Sequence, residues 1–235
     1  MSNIPAHPEN VPFELLPLSG MRKVIGQRMV QSVREAPHFY VASTVEMTGV
    51  VALRQRLKAR GENVSFNDII LKATALTLRE RPRMNCSFTP EGIKLFQEIN
   101  VGFVAAVPDG LVVPVIRQAD QKSLIEINPE VRELAELARA GKLIARATVG
   151  GTFTVSNLGM FGSDAVLPII NPPQAGILGV GAIKDAPIVV DSKIEVRPVC
   201  EFWLGCDHRA VDGVIGAEFL GAFKQIIQEP ERLDS

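Results

Sequence analysis

The sequence predicts an α/β fold of the α+β sandwich kind, a mixed sheet with helices on one face. Three observations carry that prediction. Segments with apolar residues at helical spacing are interspersed with short β-rich runs. Several of those runs are adjacent in sequence, with a turn between them. One helical segment, Asp68–Arg81, is apolar nearly all round, which marks a helix buried on every side.

Taken in order, Ser2–Pro17 is proline-rich and has no period. Residues 1–17 are therefore expected to be an extended N-terminal arm, either laid on a neighbouring subunit through Val11, Phe13, Leu15 and Leu16 or freely disordered. Residues 18–235 form the folded domain. Ser19 is placed to cap a helix running to about Arg34. Phe39–Met47 reads as a strand, and Gly49–Arg60 as a helix closed by Gly61. Ser65 or Asn67 caps the buried helix. Met84–Phe88 and Ile93–Phe96 are short strands. Val101–Val107 and Leu111–Ile116 are joined by the turn Pro108-Asp109-Gly110. Ser123–Ala140 carries Leu124, Ile127, Val131, Leu134 and Ala138 at helical spacing, and Gly141 ends it. Thr152–Ser156 alternates, with Phe153 and Val155 on one side and Thr152, Thr154 and Ser156 on the other. Gly176–Ile183, Ile188–Val190 and Ile194–Cys206 read as strands. Val214–Gln228 is an amphipathic helix burying Ile215, Phe219, Phe223 and Ile226.

Composition narrows the function. The chain has 235 residues, 46% hydrophobic and 22% charged, with a net charge of -1. That suffices for one large domain and gives no strong attraction to nucleic acid or to an anionic membrane. No apolar run is long enough to cross a bilayer. Cys86, Cys200 and Cys206 have no metal-like spacing and suit reduced, buried thiols in a cytosolic-type compartment. His7, His38 and His208 are too scattered for a zinc site, so no metal is expected. Phosphate-loop and nucleophile-elbow motifs are absent, and Gly179-Val180-Gly181 lies inside a strand run.

The stretch Leu204–Gly213, Leu-Gly-Cys-Asp-His-Arg-Ala-Val-Asp-Gly, holds the chemistry-bearing candidates. An extended run to Asp207 puts Cys200, Phe202, Leu204 and Cys206 on one face, and a persisting strand would place His208 there too. A histidine so sheltered is disposed to be neutral and to accept a proton. Asp212 suits an N-cap for the last helix, and Gly213 suits an unusual backbone angle or a close approach. The plainer alternative is a core histidine and a simple cap. Cys206 is two residues before His208, but the alternation already explains it as a packed strand residue.

Asp207-His208-Arg209-Ala210-Val211-Asp212-Gly213 resembles the His-x-x-x-Asp-Gly signature of the CoA-dependent acyltransferases, the chloramphenicol acetyltransferase-like superfamily. Within it, the chain is most similar to the catalytic domain of dihydrolipoamide acyltransferases, the core subunits of 2-oxo acid dehydrogenase complexes. Further stretches agree in the family's order: Leu18-Ser19-Gly20-Met21-Arg22-Lys23, Ser65-Phe66-Asn67-Asp68, Asp109–Ile116, Gly151-Thr152-Phe153-Thr154-Val155-Ser156-Asn157-Leu158-Gly159 and Ile170-Asn171-Pro172-Pro173-Gln174.

The resemblance implies an acyl transfer, with acetyl favoured by Ser156–Gly162, between a dihydrolipoyl thiol and coenzyme A. It makes His208 the base, Ser156 the donor to the oxyanion, and Asp212 a residue that holds the site together, with Arg22 as its partner by analogy. Coenzyme A enters as a substrate. The lipoyl group is expected from a domain outside this chain, because no exposed lysine in a tight turn is visible and Lys72 lies in the buried helix. The implied partners are two further copies in a homotrimer, larger hollow cubic or dodecahedral cores of 24 or 60 subunits, and the dehydrogenase and dihydrolipoamide dehydrogenase components. The implied location is the cytoplasm, or the mitochondrial matrix of a eukaryote. Two other readings stay open: an acetyltransferase with a hydroxyl acceptor, and a non-catalytic assembly scaffold.

Overall fold

The computed structural model describes residues 11–234. Most of the expected arm therefore lies outside the described residues. Residues 12–19 carry no helix or strand, and Phe13, Leu15 and Leu16 are exposed. The elements follow as α1 (Gly20–Glu35), β1 (His38–Glu46), α2 (Thr48–Ala59), α3 (Phe66–Glu80), β2 (Cys86–Thr89), β3 (Gly92–Leu95), β4 (Val101–Phe103), β5 (Ala105–Val107), β6 (Gly110–Val112), β7 (Val115–Ile116), α4 (Leu124–Arg139), β8 (Phe153–Asn157), β9 (Gly176–Val180), β10 (Lys184–Val190), β11 (Lys193–Asp207) and α5 (Gly213–Gln228).

The helix starts follow from their caps. Ser19, Ser65, Ser123 and Asp212 each accept a backbone N–H of the first turn, and at Ser65 and Ser123 an acidic residue completes a capping box. At α2 the cap comes instead from the preceding strand, where the Glu46 carboxylate accepts the Thr48 N–H at 2.9 Å.

The main sheet has the order β1-β11-β9-β8-β4-β7, with β10 paired to β11. It is mixed. β4 and β9 run parallel to β8, and the other pairs are antiparallel. One face carries Phe153, Phe202, Leu204 and Cys206 and packs on the helices. Phe153 meets Phe219 at 5.5 Å and Phe202 meets Phe223 at 4.8 Å between ring centres. Fully burying one such side chain contributes about 2–3 kcal/mol. α3 lies within this core, with every residue from Asp68 to Leu78 buried.

The other face is covered by the irregular stretch 163–174. The Tyr40 hydroxyl donates to Pro168 O at 3.2 Å and Thr154 donates to Gln174 Oε1 at 2.6 Å. Ile170 is held at both backbone atoms, its N–H by His38 Nε2 at 3.1 Å and its carbonyl by the Ser32 hydroxyl at 2.7 Å. Thr154 is consequently as buried as Phe153, although only one side of that strand looked apolar.

Three expected strands are split or cut short. The hairpin about Pro108-Asp109-Gly110 splits into β4/β7 and β5/β6, because the Val104 N–H turns to Val155 O and Pro114 has no N–H for a ladder. β9 stops at Val180, and the next residue, Gly181, lies against the Asp164 backbone.

Candidate active site

β11 and β1 bring His208 to the rim of the sheet. β11 ends at Asp207, one residue before the histidine. The Asp207 carbonyl accepts the N–H groups of Ala210 and Val211, which bends the chain into a turn, while the His208 N–H reaches Pro37 O at 3.0 Å. This corrects the expectation of a sheltered histidine: the alternation stops at the turn, and the His208 side chain is exposed. Its ring packs on Phe39, 4.6 Å between centres, and takes no hydrogen bond within the described residues. One flank is covered, and the rest faces outward.

The turn is rigid. The buried Asp207 carboxylate accepts the Arg209 backbone N–H at 3.0 Å and the Arg209 guanidinium at 2.8–3.2 Å. The same guanidinium lies 4.5 Å over the Phe88 ring. Residues 207 and 209 thus form a clamp from which only the histidine between them projects. The sequence shows two opposite charges flanking His208; that they bind each other is visible only in the geometry.

Asp212 is the N-cap of α5, its Oδ1 accepting the Ile215 N–H at 3.0 Å. No ion pair joins Asp212 to Arg22 among the described residues. Gly213 has no positive φ, and a Cβ there would meet nothing within 4 Å. Neither reason expected for a glycine arises within one chain.

Ser156 lies at the opposite end of the sheet. It pairs with Gly179 on β9, and Gly179 pairs with Trp203 on β11. From Trp203 to His208 is five residues, roughly 17 Å along the strand, with two strand spacings of about 4.8 Å across. The structure does not bring His208 and Ser156 together within one chain. The Ser156 hydroxyl is half-buried and has no hydrogen-bond partner within the described residues. The next residue, Asn157, lines a cleft of about 940 Å³ walled by Phe66, Phe103, Val131, Leu158 and Phe161, with Asn67 also among its polar groups; Ser156 itself is not part of that wall.

The protein's own thiols are unsuited to nucleophilic work. Burial pushes Cys206 and Cys200 up to about 12 and Cys86 up to about 11, so all three stay protonated. Lys72 is buried, its ammonium donating to Asp120 O and Lys122 O at 3.0 and 2.6 Å. Burial lowers its pKa, and it is inaccessible as a lipoyl attachment point. Among the described residues no group of three or more His, Cys, Asp or Glu is placed to hold a metal ion.

This fold is shared with a chloramphenicol acetyltransferase, at a TM-score of 0.53 and 17% identity over 86% of this chain and 94% of that one. The chain belongs to the 2-oxoacid dehydrogenases acyltransferase (catalytic domain) family, whose sequence model matches residues 11–234. It is 40% identical over 226 residues to the dihydrolipoyllysine-residue acetyltransferase component of the Rhizobium meliloti pyruvate dehydrogenase complex, covering 93% of this chain and 51% of that protein. The chain thus spans about half the length of the curated relatives it matches. A crystal structure of Azotobacter vinelandii dihydrolipoamide acetyltransferase superposes at a TM-score of 0.93, with 33% identity and 99% of both chains covered. That work addressed the role of a serine, a histidine and an asparagine in the catalytic mechanism. The cubic core of a pyruvate dehydrogenase multienzyme complex also superposes at 0.93, with 32% identity and 99% of both chains covered.

Proposed function

We propose that the chain is the catalytic domain of an acyltransferase, most simply an acetyltransferase, that moves an acyl group between a dihydrolipoyl thiol and coenzyme A within a 2-oxo acid dehydrogenase complex. One observation carries the residue assignment. In the Azotobacter relative the serine and histidine are 52 residues apart and the asparagine follows by four. The intervals from Ser156 to His208 and from His208 to Asp212 are the same.

His208 takes the proton of the attacking thiol. A free thiol ionises near pH ~8.5, so a neighbouring base raises the thiolate fraction at neutral pH. The thiolate attacks the thioester carbonyl, and Ser156 donates a hydrogen bond to the oxygen that becomes negative. The tetrahedral intermediate then collapses, expelling the other thiolate, which takes the proton back from His208. With all three cysteines of the chain held protonated, both sulfur atoms in this exchange belong to substrates.

Asp212 stands where the relative has asparagine. The two side chains share an acceptor oxygen and differ in charge, so the common role is the α5 cap, which sets the end of the His208 turn. That cap is compatible with the ion pair to Arg22 that the resemblance implies.

Because each chain presents His208 and Ser156 at opposite ends of its sheet, the working site is assembled between copies, in a homotrimer and then in a hollow core. The relative that forms a cubic core supports this. The lipoyl group comes from a separate domain, and the dehydrogenase and dihydrolipoamide dehydrogenase components are the partners. The three free, buried cysteines suit a reducing compartment, the cytoplasm or the mitochondrial matrix.

An assay of acetyl-CoA with dihydrolipoamide tests the reading. His208→Ala abolishes transfer while the circular dichroism spectrum is retained. Ser156→Ala lowers turnover ~100-fold or more with little change in KM. Near-normal turnover in either variant removes that residue from the mechanism. Transfer to chloramphenicol but not to dihydrolipoamide would favour the hydroxyl-acceptor reading, and no transfer to either would favour the scaffold.

A further inference from the structure

Two of the sequence stretches singled out above, Ser65–Asp68 and Gly151–Gly159, meet beside Ser156 in a contact that the chemistry has not yet used. Asn157 is the last residue of β8. Its Oδ1 accepts the Gly159 N–H at 3.1 Å, and its Nδ2 donates to Asn67 Oδ1 at 3.3 Å. The Gly159 N–H fixes the amide, since only the oxygen can face a donor, and the nitrogen is left for Asn67.

Asn67 offers a firm base. It is the second residue of α3, directly after the Ser65 cap, and its neighbour Asp68 closes the capping box. The buried Asp68 carboxylate also accepts Asn128 Nδ2 of α4 at 2.8 Å. On its far side the turn after β8 has no slack. A Cβ on Gly159 would come within 2.1 Å of Gly181 O, and one on Gly181 within 2.0 Å of Asp164 O.

The sheet alone holds Ser156 loosely. β4 pairs with β8 only as far as Val155, and beyond it only β9 continues, opposite Ser156 and Asn157. A strand end paired on one side is prone to open locally. An oxyanion donor must be held within about 0.5 Å of its productive position.

We infer that Asn157, anchored on Asn67, is the positioning residue that fixes the Ser156 hydroxyl at the strand end. This rests on Ser156 being the oxyanion donor. Both polar atoms of the Asn157 amide are engaged, by Asn67 and by the Gly159 N–H, so it acts through Ser156. Its loss therefore appears in turnover and not in KM, and it disappears when the hydroxyl is already gone.

The test uses the assembled protein with acetyl-CoA and dihydrolipoamide, comparing the parent, Asn157→Ala, Ser156→Ala and the double variant. Asn157→Ala should lower turnover roughly tenfold with KM within about twofold, and it should cost nothing further in the Ser156→Ala background. Asn67→Ala should behave as Asn157→Ala does, whereas Asn67→Asp, which keeps the acceptor oxygen, should retain turnover. If Asn157→Ala does not assemble, the two Asn67 variants probe the same hydrogen bond in both backgrounds. An equal loss with and without Ser156, a raised KM at unchanged turnover, or no effect at all would overturn the inference, while the loss in Ser156→Ala keeps the oxyanion role standing. Full turnover in Ser156→Ala would remove the oxyanion role and this inference with it.

Discussion

Cys206 shows at the scale of one residue how burial sets chemistry. Its thiol, like those of Cys200 and Cys86, is pushed far above the ordinary value of 9.0 by loss of solvent, and the unfolded chain restores that value. Between about pH 9 and 11 the unfolded state therefore loses protons that the folded state keeps. The stability these thiols contribute is whole below pH 9 and drains away as pH rises towards their folded values. Lys72 works in the opposite sense over a window just below 10.5, because its folded value is lowered. Three thiols outweigh one amine. The urea midpoint should fall from pH 9 to 10.5, and less steeply in Cys206→Ala; a flat profile in the parent would contradict the burial of these groups. Asp212 offers a second residue-scale test. Asp212→Ala should cost about 1 kcal/mol of stability through the lost cap, and Asp212→Asn much less. An equal loss in both would mean that the charge, not the cap, matters.

At the scale of elements, the contrast between two glycines separates steric need from sequence pattern. Gly159→Ala forces a Cβ into the Gly181 backbone, which cannot yield. That variant should lose several kcal/mol and give little folded protein. Gly213→Ala opens onto free space at the first turn of α5 and should fold as the parent does; a comparable collapse of both variants would refute this account of the turn after β8. The helices were legible because their caps are written in local chemistry, as Ser19, Ser65, Ser123 and Asp212 show. The strands were legible where alternation held, as in Cys200–Cys206. What escaped was set by distant partners. The break at Val104 depends on Val155 O, and the second covered face depends on the stretch 163–174, which has no period to read. His208 was legible as a residue and not in its surroundings, because a turn closed by Asp207 O ends the strand one residue early.

At the scale of the whole molecule, the proposed function divides the site between chains. His208 projects from a clamped turn at one rim of the sheet, and Ser156 lies at the other, one residue before Asn157, which lines a cleft. The chain packs well around one core, yet it leaves its histidine ring with one covered flank. A second copy would supply both the missing shelter and the missing hydroxyl. The most direct measurement is complementation between two inactive chains, His208→Ala and Ser156→Ala, expressed together so that they co-assemble. If each interface draws its histidine from one chain and its serine from the next, random mixing leaves about a quarter of the sites intact. Activity near a quarter of the parent's is the predicted result. Activity no greater than the sum of the two variants assembled separately would contradict a site shared between subunits.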